Sequence, residues 1–245
     1  MIRVENLHRS FDGNTVLRDV SFEVAKGELV ALIGRSGGGK SVLLKHMAGL
    51  KSPDSGKVLM DDRDIHAMNR TALKGLRDRL GFLFQGGALF DSMTVYENVA
   101  FPLQEKHSLK ADIIREKVRV ELDHVGLSGA ENKYPSQLSG GMIKRAALAR
   151  ALVQEPEVMF FDEPTTGLDP VMGRAILKLI HSCHERLSFT GVIVTHMIPR
   201  VFDIVDRVIM LKEGAVGFDG TTGNFMSSND PEVRGFFDEP VVNVG

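Results

Sequence analysis

Hydrophobic and polar positions follow two different patterns along this chain. Ile2-Arg3-Val4-Glu5-Asn6-Leu7 alternates apolar with polar, and Val20-Ser21-Phe22-Glu23-Val24 does so again, with the turn signal Asp12-Gly13-Asn14 between them. Alternation predicts half-buried antiparallel strands. Lys57-Val58-Leu59-Met60 adds another strand after the turn at 52–56. Later, Val30 to Ile33, Val158-Met159-Phe160-Phe161 and Val192-Ile193-Val194 are unbroken apolar runs, each near a helical segment. That pattern predicts a parallel sheet covered on both faces. From about 91 to 155 the chain reads as mostly helical. Residues 108–125 carry Ile113, Ile114, Val118 and Leu122 at helical spacing, and 140–153 carries Ala146, Ala147, Leu148, Ala149, Ala151 and Leu152. This block divides the α/β material and predicts an inserted helical subdomain within a domain spanning 1–220. From Thr221 the pattern weakens to a tail, 221–245, with a loop at 227–231 and the patch Gly235-Phe236-Phe237-Asp238-Glu239-Pro240.

Composition narrows the class. With 245 residues, 43% hydrophobic and 25% charged, the chain is an ordinary globular protein able to bury a sizeable core. Its 30 basic and 32 acidic residues leave a net charge of −2, which argues against a nucleic-acid partner. Cys183 is the single cysteine, so no internal disulfide forms, and its place in a predicted helix suits a core filler. No run approaches the ~18 apolar residues of a membrane span, and Met1-Ile2-Arg3-Val4-Glu5 does not begin a signal peptide. A membrane role is therefore expected to come through a partner.

The chemistry begins at Gly34-Arg35-Ser36-Gly37-Gly38-Gly39-Lys40-Ser41, which fits G-x-x-x-x-G-K-[ST] at every fixed position. The apolar run before it and the helix expected from Val42 to Ala48 supply the strand–loop–helix context the motif needs. Glycines let the backbone curl so that successive N–H groups face phosphate oxygens, and the helix N-terminus adds its positive dipole end. Lys40 is placed to reach the β- and γ-phosphates of ATP, and the Ser41 hydroxyl to ligate Mg²⁺. The run 158–161 ends in Asp162-Glu163. Asp162 is the expected Mg²⁺ ligand and Glu163 the residue that polarises an attacking water. An Asp-Glu pair by itself is usually a solvated loop; two carboxylates closing an apolar strand, in a chain with a phosphate loop, are not. Leu138-Ser139-Gly140-Gly141-Met142 opens another helix with Ser139 as N-cap, either an ordinary cap or an anion site.

In that order, the phosphate loop, the Ser-Gly-Gly helix start and the Asp-Glu strand end resemble the ATP-binding-cassette (ABC) ATPase family, from about Val4 to Gly220. The resemblance implies an α/β fold of the ABC-type P-loop NTPase class, with a RecA-like core, an N-terminal antiparallel β-subdomain and an inserted α-helical subdomain. It implies that Phe11 stacks on adenine with Val16 nearby. It implies that Gln85 contacts Mg²⁺ and the attacking water, and that His196 contacts the γ-phosphate. Ser139, Gly140 and Gly141 would touch the γ-phosphate held by a second copy, and Asp169 would close the loop joining the two sites. Three positions depart from the commoner family residues: Phe11 for Tyr, Met142 for Gln and Met197 for Asp.

The same resemblance implies partners. Two copies pack head to tail as a homodimer, and the apolar segment from Gly86 to Leu103 forms a groove for an integral membrane permease. The wording of that segment and the Leu-Ser-Gly-Gly-Met start look like the ATPases of Mla/Mce-type lipid transporters. That branch implies phospholipid cargo, a Mce-domain substrate-binding protein, a small accessory subunit, and a peripheral position on the cytoplasmic face of the inner membrane. Rival readings are an importer of amino acids or other polar solutes, and a soluble ABC protein acting on ribosomes or DNA. One cassette and the short span from Gln85 to Ser139 disfavour the second rival. Glu163 and His196 disfavour a module that binds nucleotide without hydrolysis.

Overall fold

The computed structural model describes residues 1–105, 109–196 and 198–238. In chain order the strands are β1 (Ile2–Phe11), β2 (Asn14–Val24), β3 (Leu29–Gly34), β4 (Ser55–Met60), β5 (Arg63–Asp64), β6 (Leu80–Leu83), β7 (Val158–Asp162), β8 (Thr190–Val194), β9 (Arg207–Lys212) and β10 (Ala215–Thr221). The helices are α1 (Lys40–Met47), α2 (Arg70–Arg77), α3 (Val95–Gln104), α4 (Ala111–His124), α5 (Gly140–Leu152), α6 (Pro170–Leu187), α7 (Thr222–Met226) and α8 (Pro231–Asp238).

Two sheets form. The alternating segments build an antiparallel sheet in the order β2-β1-β4-β5. The continuous apolar runs build the other, ordered β10-β9-β3-β8-β7-β6, parallel except where β10 runs against β9. β6, β9 and β10 extend it beyond the three runs expected from the pattern. The unbroken apolar sequence of its central strands has a direct cause, since successive side chains point to opposite faces and both faces are covered. In β3, Leu29, Ala31 and Ile33 join the cluster that holds α3–α6, whereas Val30 and Leu32 join the one that holds α1, β1, β2 and β4. Met159 and Phe161 of β7 follow the first set, Val158 and Phe160 the second.

α3, α4 and α5 lie between β6 and β7, and their Val99, Val118 and Leu148 share one apolar cluster with Ala31 and Phe161 of the sheet. α3 starts at a capping box in which the Thr94 side chain accepts from Glu97 N–H and Glu97 Oε2 accepts from Thr94 N–H. The tail also uses its apolar residues internally. Phe225 is buried edge-on to Phe202 and Phe218, at 5.5 and 5.0 Å between ring centroids. Val233 of α8 is buried in the same cluster, with Phe236 half-buried against it. Glu239 and Pro240 of the expected tail patch lie outside the described residues. None of the described helices is long and apolar enough to cross a membrane.

α1 buries one histidine, and a second lies half-buried beside it. His46 is fully buried with Nδ1 2.7 Å from Val42 O, and His66 follows β5, their rings 6.4 Å apart. Burial holds both imidazoles below the ordinary histidine value of 6.5, with Asp64 partly opposing the effect at His66. The folded state thus resists protons that the unfolded chain accepts, so stability is complete above about pH 6.5 and is lost as pH falls below it. The unfolding free energy is expected to drop as pH falls below about 6.5, by at most ~1.4 kcal/mol per pH unit for each histidine, and His46→Gln to flatten that slope. Urea melts across this range read the slope directly; one left unchanged by His46→Gln would contradict the assignment.

Candidate functional site

Parallel order brings the carboxyl ends of β3, β7 and β8 side by side, which is where an open α/β sheet receives its ligand. β3 delivers Gly34, the loop turns through 35–39, and α1 begins at Lys40. Gly39 has φ +88°, and a Cβ there would come within 2.9 Å of both Val16 O and Leu17 Cδ2. A left-handed backbone pressed against β2 admits only glycine, so the loop is backed by the antiparallel sheet and Val16 is brought beside it. Lys40 Nζ donates to Gly34 O at 2.8 Å and Arg35 O at 2.9 Å. Burial pushes its ammonium below the usual lysine range, while the carboxylates of Glu163 and Asp162 pull it back.

Asp162 ends β7 opposite Val194 of β8 and is buried. Ser41 Oγ donates to Asp162 Oδ1 at 2.7 Å, joining the start of α1 to the end of β7. Glu163 departs from the strand at φ +51°, a left-handed conformation uncommon and strained for a side-chain-bearing residue. Its N–H donates to Val194 O at 2.9 Å. Glu163 Oε2 lies 2.7 Å from His196 Nδ1 and accepts from Thr166 Oγ1 at 3.3 Å. The turn thus aims a carboxylate that is 13% exposed at a histidine that is 59% exposed. Lys40, Ser41, Asp162, Glu163 and His196 form one constellation.

These residues suit Mg²⁺ and a triphosphate. The paired oxygens of Ser41 and Asp162 are hard donors of the kind Mg²⁺ takes. Among the described residues no group of three or more His, Cys, Asp or Glu side chains could hold a metal alone.

The other expected site residues lie elsewhere. Ser139 caps α5, its Oγ accepting from Met142 N–H at 3.3 Å. A Cβ on Gly140 or Gly141 would meet Leu168 or Met172. Asp169 caps α6 through Oδ1, which accepts from Val171 N–H at 2.9 Å and Met172 N–H at 3.0 Å. Phe11 sits at the tip of the β1–β2 hairpin with the Arg9 guanidinium 4.5 Å and the Lys51 ammonium 5.1 Å from its ring centroid. Gln85, two residues beyond β6, is exposed, and its carbonyl accepts from Lys144 Nζ of α5. Met197 lies outside the described residues. Lys144 was not expected at all: a lysine on a helix reads as a solvated position, and only the fold shows that it is buried.

A glycine-rich loop between a buried strand and a helix, with its lysine and serine drawn to a strand-ending Asp-Glu pair, defines a P-loop nucleotide-hydrolysing domain. More narrowly, the chain belongs to the ABC transporter family, whose model matches residues 17–166. That match ends before Asp169 and His196 and begins after Phe11 and Val16. The chain is 41% identical over 227 residues to "Intermembrane phospholipid transport system ATP-binding protein MlaF" of Escherichia coli (strain K12), covering 92% of this chain and 84% of that one. It is also 41% identical over 235 residues to "Probable ribonucleotide transport ATP-binding protein mkl" of Mycobacterium leprae, covering 96% of this chain and 68% of that one. Among solved structures it resembles the ATP-binding cassette MJ0796, a dimer in a post-hydrolysis state bound to ADP and Pi. The TM-score is 0.83 at 31% identity, over 91% of this chain and 99% of that one. The fold is that of an ABC ATPase cassette.

Proposed function

We propose that the chain is the ATP-hydrolysing subunit of an ABC transporter that moves phospholipid. The observation that supports the chemistry best is the single constellation of Lys40, the Ser41–Asp162 pair and the Glu163–His196 pair. In this reading the backbone N–H groups of Gly34, Arg35, Ser36, Gly37, Gly38 and Gly39, with Lys40, hold the phosphates. Ser41 and Asp162, joined by Gln85, would hold Mg²⁺, which would offset charge on the phosphates. Glu163 takes a proton from the attacking water, and His196 both orients that carboxylate and faces the γ-phosphate. Phe11 and Val16 receive the adenine.

Ser139, Gly140, Gly141 and Asp169 act across a dimer, because their neighbours in one chain are Leu168, Met172 and the α6 start rather than Lys40. The similar cassette's solved structure is a dimer, which supports assembly of two copies. Closure and reopening of two such copies would move a membrane-embedded permease. The proposed assembly also holds a Mce-domain substrate-binding protein and a small accessory subunit, at the cytoplasmic face of the inner membrane. Within the chain, 1–220 is the proposed ATPase domain with a helical subdomain over about 91–155. In this reading the tail from 221 touches a neighbouring subunit.

Cargo rests on the name of the E. coli relative, and the mycobacterial relative's name offers ribonucleotides instead. Purifying the native membrane complex through this chain and weighing it with its bound small molecules tests the choice. A permease, a Mce-domain protein and retained phospholipid are expected. A soluble solute-binding protein in place of the Mce protein, with no phospholipid retained, would reject phospholipid transport.

A further inference from the structure

α5 carries more than the Ser139 cap. One of its faces holds the loop that follows β6 by that loop's backbone carbonyls. Lys144 Nζ donates to Gln85 O, and one turn and a half along the helix the Arg150 guanidinium donates to Gly87 O at 2.9 Å and Ala88 O at 2.8 Å. Between these two grips the loop lies flush on the helix. Gly87 has φ +78°, and a Cβ on it would stand 3.2 Å from Ile143 Cγ2 and 3.4 Å from Ala147 Cβ. Residues 143, 144, 147 and 150 fall on one side of an α-helix, so the contact is a continuous seam. Lys144 is only 6% exposed, although an ammonium is costly to bury. Its compensation is the Gln85 carbonyl together with the field of the Glu163 carboxylate, which draws its proton affinity back up against burial.

We propose that Lys144 is a positioning residue: by holding the Gln85 carbonyl it sets the direction of the Gln85 side chain and makes the 85–88 loop move as one body with the Ser139 end of α5. This deepens the reading in which Gln85 serves the ATP site and rests on it. The consequence is mechanical. Any push on the loop is passed to the helix start that meets the second nucleotide, and any shift of that helix start re-aims Gln85. Arg150 alone cannot do this, because its two acceptors lie beyond Gln85 and leave that residue's own peptide free to rotate.

A double-mutant cycle tests it, using full-length chain and steady-state ATP hydrolysis with melting curves for each variant. Gln85→Ala and Lys144→Met are each expected to lower kcat about 10-fold while leaving KM for ATP within about 3-fold. The double variant is expected to be no slower than either single one, because Lys144 acts only through Gln85. Lys144→Arg retains a donor and is expected to recover kcat to within about 3-fold of the parent, which separates positioning from a folding defect. A silent Gln85→Ala would overturn the site reading and this proposal with it. An impaired Gln85→Ala combined with additive losses near 100-fold, or with a silent Lys144→Met, would overturn the proposal and leave the site reading standing.

Discussion

Glu163→Gln is expected to bind ATP with near-parental affinity and to hydrolyse it about 10²–10⁴-fold more slowly. The range is that of removing a positioned general base. The substitution is nearly isosteric, and it leaves the backbone at φ +51° held by the same Val194 carbonyl. A glutamine oxygen can still accept from Thr166 Oγ1, so the turn keeps its geometry. What disappears is the negative charge that supports both Lys40 and Lys144. Phosphate release under saturating ATP, paired with an equilibrium nucleotide titration, separates the two effects. Parental phosphate release would remove Glu163 from the mechanism, and lost binding would mean that its charge serves the loop rather than the water.

Lys40→Ala is expected to fail one step earlier. The ammonium sits over the loop on the carbonyls of Gly34 and Arg35, within the field of Asp162 and Glu163, ready to exchange those acceptors for phosphate oxygens. A charge-assisted hydrogen bond contributes about 1.5–3 kcal/mol, so its loss weakens ATP binding by roughly 10- to 100-fold. Turnover should fall further, because in the proposed site the same charge would face the developing negative charge of the transition state. Because the removed group is a buried cation, the melting temperature should hold or rise. Titration with a fluorescent ATP analogue alongside a thermal melt checks both. Unchanged affinity, or a folded fraction that collapses, would contradict the role.

The loop was legible because its chemistry is local: strand, glycines, Lys40, Ser41 and helix lie within one short stretch. The strands flanking it were legible because burial on two faces leaves an unbroken apolar run, as in 158–161. Asp162 and Glu163 could be placed at a strand end, but their partners could not. The Ser41–Asp162 bond joins positions 121 apart, and the Glu163–His196 contact depends on β7 lying beside β8. Strand order of that kind is not written in periodicity. Arg9 and Lys51 over the Phe11 ring come from two different elements and had no shared signal. Lys144 was hidden for another reason. Its type and its helix both read as surface, and only the packing of the 85–88 loop on α5 makes it a buried cation. β10 is an edge strand with no buried residue, and α8 is short and mixed in character, so neither gave a strong pattern.

The proposed dimeric nucleotide sandwich is the central claim, and native mass spectrometry of Glu163→Gln with Mg·ATP weighs it directly. The expected species is two chains carrying two ATP molecules, reverting to single chains when ATP is replaced by ADP. A single chain with one ATP at every protein concentration, or a nucleotide-free dimer unaffected by ATP, would contradict it.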